Sequence, residues 1–303
     1  MTFLEIRQRV AEIIGVDSTS TTTDANATMV NKLKEWVNAR YRVICASRKW
    51  NWLLKDGIVQ TTTEITTGTV TATTDVTTIT FSSGPTPSVA GWFIQFSDSE
   101  DWYLISAHTA TQTGATLANA FLGTTSSTLT YTLRKVYYTL PSDIGAILSV
   151  KQTRDDVKLR YISPRQLDNL IPDRDRTGEP EFYSIVGLDS SQLYKVEFYP
   201  VPNVRMNIIV RYYQVAAEMS ADGDTPLIPE AFDEILVWDT LATYGFTWLD
   251  DTRLSSALAE RNRLWDAMIK NDIQTENIAV RMPFDVAVVD SSNILRQVDL
   301  PIE

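Results

Sequence analysis

Residues 57–133 contain no Lys or Arg, and twelve of the twenty residues from Thr61 to Thr80 are Thr. So little charge and so much β-branched side chain favour short pleated strands over surface helices. The block's acids are Glu64, Asp75, Asp98, Glu100 and Asp101. Ordinary charge mixing lies on both sides, so the block reads as a module inserted into a host domain. The spacing predicts strands at Thr69–Ala72, Thr77–Phe81, Gly91–Phe96, Tyr103–Ser106 and Ser127–Leu133, separated by Gly, Ser, Pro and Asp turns. Five or six such strands suggest a small barrel or sandwich.

The flanks carry other periods. Thr2 and Glu5 form a capping box ahead of Phe3, Ile6, Val10 and Ile13, and Gly15 closes that helix. Asp17–Thr23 is a polar loop. Asp24 or Asn26 caps a second helix, with face Val30, Leu33, Val37, Tyr41 and Ile44, that ends near Arg48. After the module, Leu140–Asp143 turns into a strand over Ile144–Gln152, and Ser163 starts a short helix. Tyr194–Tyr199 alternates, with Tyr194, Val196 and Phe198 on one side. Pro200-Val201-Pro202-Asn203 then reads as a turn into a returning strand, Met206–Val215, giving a hairpin. Pro229 sits at a first helical position, before Phe232, Leu236, Leu241, Tyr244 and Trp248. Asp250-Asp251 breaks that helix, and Leu254, Leu258, Arg261, Trp265 and Met268 mark another. Periodicity is lost beyond Asp272. The expected fold is α+β: a bundle of N- and C-terminal helices, a projecting β region that includes the inserted barrel or sandwich, and an extended C-terminal tail. The expected divisions are 1–56, 57–133, 134–224, 225–274 and 275–303.

Composition excludes several chemistries. The chain has 303 residues, a net charge of −11, one cysteine and one histidine. A single Cys45 rules out an internal disulfide and a Cys-based zinc site. Any triad or histidine metal site would have to pass through His108. The negative charge argues against general phosphate binding. No apolar run is long enough to span a membrane, and Met1–Glu5 lacks the basic start of a signal peptide. No Walker loop, GxGxxG or GxSxG appears.

The residues that could carry chemistry have plainer readings. The acid pairs Asp155-Asp156, Asp222/Asp224 and Asp250-Asp251 fall at turns. His108 reads as an exposed loop residue and Cys45 as a small core residue. Asn26-Ala27-Thr28 fits a helix cap better than a glycosylation site. Among eight Trp, Trp36, Trp238 and Trp265 lie near apolar helix faces, while Trp92 and Trp102 leave a sugar platform open. A glycosidase would need paired carboxylates beside such Trp, and these acids do not cluster at strand ends.

Five features taken together resemble the bacteriophage head-to-tail connector adaptors, also described as tail tubular protein A-like or portal-adaptor ring proteins. They are Val30…Tyr41-Arg42-Val43-Ile44 with Arg48-Lys49-Trp50-Asn51-Trp52-Leu53; Tyr138-Thr139-Leu140-Pro141-Ser142-Asp143; Gly178-Glu179-Pro180-Glu181-Phe182-Tyr183; Val196–Pro202 with Ile208–Tyr213; and Pro226-Leu227-Ile228-Pro229-Glu230. Their order covers residues 1–275, with the Thr-rich module as the departure. The resemblance implies a structural virion protein with no catalysis and no cofactor, made in the host cytoplasm and placed at the head-to-tail interface. It implies a ring, commonly of about twelve copies, that binds the portal protein and a tail or nozzle protein. The genome would pass through without specific binding, and no membrane is involved. The alternative is a tail or fibre component whose β module binds host glycan.

The tail fits this role. Ordering a free chain costs about 1–2 kcal/mol per residue, more than its scattered apolar residues return alone, yet they suffice on a partner. The expected contacts with the portal or a neighbouring subunit are Ile278, Met282, Phe284, Val286, Val289, Ile294 and Leu300, led by Met282, Phe284 and Val286. An acidic bore would let a duplex slide, acting over a Debye length of about 10 Å.

Overall fold

The computed structural model describes residues 1–16, 25–154, 157–170, 176–246 and 252–281. Helices α1 (Phe3–Ile14) and α2 (Ala25–Ala46) come first. Strands β1 (Leu54–Gln60), β2 (Thr69–Ala72), β3 (Thr78–Phe81), β4 (Phe93–Phe96), β5 (Trp102–His108), β6 (Gly114–Leu117) and β7 (Ser126–Arg134) follow. Next are β8 (Tyr137–Thr139), β9 (Ile144–Gln152), β10 (Lys158–Tyr161), helix α3 (Pro164–Leu170), β11 (Phe182–Leu188), β12 (Tyr194–Tyr199) and β13 (Asn207–Gln214). Helices α4 (Glu234–Thr240) and α5 (Leu254–Arg281) close the order. The chain divides into a helical unit, from Met1–Leu54 and Tyr213 onward, and a β unit, Lys55–Tyr212. This is the α+β architecture the sequence leads one to expect, with terminal helices, a curled sheet and a closed barrel.

In the helical unit, α1 begins with the expected capping box: Glu5 N–H donates to Thr2 Oγ1 (3.3 Å) and Thr2 N–H to Glu5 Oε2 (2.7 Å). Two further orphan donors of its first turn are satisfied by a distant loop. Phe3 N–H donates to the Asp224 carbonyl (2.7 Å) and Leu4 N–H to that of Asp222 (3.1 Å). Gly15 ends the helix in the left-handed region, φ +77°, which only glycine adopts without penalty. Phe3, Ile6 and Val10 share a core with Leu33, Val37, Tyr41 and Ile44 of α2. Asn26 lies inside α2 rather than at its cap, and Asp24 lies outside the described residues.

Helix α4 buries five of its seven residues, Ile235, Leu236, Val237, Asp239 and Thr240, and touches α1, α2 and α5, so it is the central element of the bundle. Pro229 is the cap of a 3₁₀ turn, Glu230–Phe232, and not a first helical residue. Beyond α4 the chain widens into a π turn, Leu241–Gly245; Trp248 and Asp250-Asp251 lie outside the described residues. On α5 the buried positions are Ala257, Leu264, Met268 and Asp272, while Leu258 is exposed. The stripe expected from the large apolar residues is therefore rotated, because a small Ala and a hydrogen-bonded Asp occupy core positions that size and polarity conceal. The helix also runs on through Ile278 to Arg281, where extended chain was expected from 275.

In the β unit, seven strands form a curled sheet in the order β1-β13-β9-β10-β11-β12-β8. The expected hairpin of β12 with β13 does not form. Strand β12 pairs with β11 and β8, and β13 lies between β1 and β9. Pro200 and Pro202 have no N–H for a returning partner. Val201 between them is already used: its N–H donates to Arg176 C=O and its C=O accepts from Gly178, both at 3.0 Å. Ser163 and Gln166 form a capping box that starts α3, and β10 runs parallel to β11.

The other six strands close a barrel, β2-β3-β6-β5-β4-β7. Its sequence logic is a period of two. Val70, Ala72, Ile79 and Phe81 point in, and Thr69, Thr71, Thr78 and Thr80 point out. The threonines are the solvated face of a small barrel. Strand β6, Gly-Ala-Thr-Leu, carries too little hydrophobicity to stand out, yet it closes the barrel between β3 and β5. Phe81, Trp92, Phe96, Phe121 and Tyr131 fill the interior, so the barrel is packed and not a channel. At its root Ile65 and Leu133 exchange two hydrogen bonds, 3.1 and 2.8 Å.

Candidate interaction surfaces

The segments that carried the resemblance are clamps within the fold. Trp50 is fully buried. Its indole N–H donates to Ile44 C=O (2.9 Å), and its ring stacks on Trp52 and meets the edge of Trp265. Asn51 N–H donates to Asp272 Oδ1 (2.9 Å), and the Asn51 amide donates to Asp272 C=O (3.2 Å). This fastens the exit of α2 to α5. Leu227 N–H donates to the Tyr41 hydroxyl (2.9 Å), which fixes the Pro226–Glu230 turn. Glu181 N–H donates to Tyr199 C=O (2.8 Å), so the Gly178–Tyr183 and Val196–Pro202 features, distant in sequence, pair with each other.

Titratable groups follow the same logic. Asp239 is buried between Arg40 Nε, hydrogen-bonded at 2.6 Å, and Arg261 Nε, an ion pair at 2.7 Å without hydrogen-bond alignment. Burial pushes the Cys45 thiol up to about 12, against a hydrogen bond with Tyr41 that pulls it down. His108 is not a loop residue. It ends β5, half-buried, with Nδ1 accepting from Val89 N–H (3.1 Å) and Nε2 3.0 Å from Gln112 C=O, so it pins two loops. Asp224 Oδ2 accepts from Ser220 and Ala221 N–H (2.7 and 2.8 Å); these bonds hold its carboxyl below the usual range. Among the described residues no group of three or more His, Cys, Asp or Glu could hold a metal ion. No described helix is long and apolar enough to cross a membrane.

Two concave apolar surfaces stand out in the β unit. One, about 460 Å³, is the mouth of the curled sheet, walled by Leu140, Ile144, Ile147, Tyr161, Tyr183 and Tyr194. Tyr161 and Tyr194 are exposed there, and Leu188, also exposed, stands opposite Tyr194 in the ladder. The other, about 210 Å³, lies where the outer barrel wall meets the sheet, between Phe93, Trp102, Arg134, Val136 and Tyr137. The Arg134 guanidinium covers the Trp102 ring at 4.4 Å and donates to Glu64 (2.7 Å). Trp102 Nε1 is buried without a hydrogen-bond partner. Of the two Trp read as a possible sugar platform, Trp92 is core and only Trp102 borders a cavity.

Of the tail residues expected to bind a partner, Ile278 lies in α5; Met282, Phe284, Val286, Val289, Ile294 and Leu300 lie outside the described residues. Apart from Trp102, the cavity residues escaped the sequence reading because they alternate with core residues on the same strands. Phe93 and Trp102 face out where Ile94 and Tyr103 face in.

Comparison with curated proteins gives no match. The sequence profile of the SU10 adaptor protein family matches residues 110–286, more than half of the chain. The matched range takes in the last two barrel strands, β6 and β7, every strand of the sheet except β1, and helices α3, α4 and α5. It contains four of the five features completely; the first, between Val30 and Leu53, lies ahead of it. With clamped motifs, packed cores and apolar outer surfaces, the chain belongs to the SU10 adaptor protein family, phage adaptor proteins whose role is structural and not catalytic.

Proposed function

We propose that this protein forms a ring of about twelve copies that joins the phage portal to the tail and makes part of the DNA conduit. The observation that carries this is the family match over 110–286. In this reading the segment after α5 docks on the portal or a neighbouring subunit, and the β unit meets the next tail component. In this reading the bore is net negative, in keeping with the chain's charge of −11, so that phosphates are repelled and the duplex slides.

The test is a pull-down of portal protein by the full chain, followed by native mass measurement. Capture of a portal ring carrying many copies of this chain is the expected result. Capture of a fibre or glycan without portal would favour the glycan-binding alternative. A ring whose bore is lined mainly by Lys and Arg would sink the sliding argument.

A further inference from the structure

Leu122 is 70 % exposed, the highest exposure among the large hydrophobic side chains described as exposed. It is also rigidly held. Phe121 before it is fully buried in the barrel, donates to Val76 C=O (3.0 Å) and accepts from Asp75 N–H (2.8 Å). Leu122 N–H donates to the Tyr103 hydroxyl (3.2 Å), Gly123 C=O accepts from Thr74 Oγ1 (2.7 Å), and Thr124 N–H donates to Asp98 (3.1 Å). A Cβ at Gly123 would come within 2.4 Å of the Phe121 ring and 2.8 Å of Asp98. Phe-Leu-Gly therefore presents one leucine outward on a fixed loop. A pre-organised apolar tip is the kind of group that binds without losing further freedom.

The same unit carries a hole of matching kind. The Phe93–Trp102–Tyr137 cavity, about 210 Å³, suits one aliphatic side chain between aromatic walls. Leu122 does not fill the hole of its own copy: it stays 70 % exposed and is not among the residues that line the cavity.

We propose that Leu122 of one copy seats in the Phe93–Trp102–Tyr137 cavity of the next copy. The contact is head-to-tail, so each filled hole leaves a free knob to continue the series, and the series closes as a ring when the rotation permits. This rests on the ring reading above and specifies its subunit contact.

The test uses the full chain carrying both Leu122→Cys and Val136→Cys, oxidised at concentrations where native mass shows multimers. A disulfide-linked ladder is expected from the double variant and from neither single variant. Leu122→Asp, at an exposed site, should keep the wild-type melting temperature and weaken self-association by about tenfold or more. A wild-type chain that stays monomeric at every concentration overturns the proposal, as does linkage through the Leu122→Cys site alone. Rings assembled normally by Leu122→Asp on a captured portal would overturn this contact and leave the ring adaptor standing. Failure of the wild-type chain to capture portal would instead remove the adaptor reading.

Discussion

Asn38 does with one amide what two strands usually do together. Buried on α2, it donates to Met219 C=O (2.9 Å) and accepts from Met219 N–H (3.0 Å), holding the connection that leads from β13 towards α4. Asn38→Ala would strand both backbone groups, so we expect a loss of about 1–3 kcal/mol, read by chemical denaturation. The Cys45 thiol, 6 % exposed and pushed up to about 12, should react with a thiol reagent only after unfolding; reaction of the native chain at a free-thiol rate would contradict this. Asp143 supplies a pH test. Burial raises its pKa, but the Lys55 ammonium and the Tyr212 hydroxyl, each at 2.6 Å, outweigh burial and hold it below the ordinary value. A carboxyl depressed in the fold stabilises above its unfolded value, about pH 4, and loses that contribution as pH falls through the folded value. Asp143→Asn should therefore be less stable than wild type at neutral pH and converge with it in acid. Denaturation curves that stay parallel from pH 7 to pH 2 would refute the assignment. Cys45 was readable from sequence, because its neighbours share a helical stripe. Asn38 was not, since a polar residue on a helix reads as surface until its partner is known.

Individual elements were legible in proportion to how locally they are determined. The α1 capping box, the start of α3 and the strands β2, β9 and β12 follow from neighbouring residues, and the structure has them where the pattern puts them. Partnership between strands depends on distant chain, and there the pattern misled. Tyr-Pro-Val-Pro reads as a hairpin turn, but its one free amide is engaged by Arg176. The N-terminus of α1 shows the same dependence. Its capping box is local, while its remaining donors need the carbonyls of Asp222 and Asp224, which Asp224 itself holds in place. Asp224→Ala should loosen that loop and speed amide exchange at Phe3 and Leu4, leaving exchange in α4 unchanged. Equal acceleration in both helices would point to global destabilisation instead.

At the scale of the molecule, the surfaces that matter were the least legible. The Thr-rich pattern gave a β module, but which side chains face out around its root emerges only when six strands close. The segment beyond α5 was read on apolar content alone. Deleting 282–303, which leaves α5 whole, should abolish portal capture in the proposed assembly and keep the cooperative unfolding of the bundle. Unchanged capture by the shortened chain would exclude that segment as the anchor.

The paired strands at Ile65 and Leu133 also bear on how far the sheet depends on the barrel. Both ends of the barrel pass through one doorway, so a chain lacking everything between them should keep the strand order of the sheet and its cooperative unfolding. Closing so short a gap leaves a small loop, which is cheap in entropy.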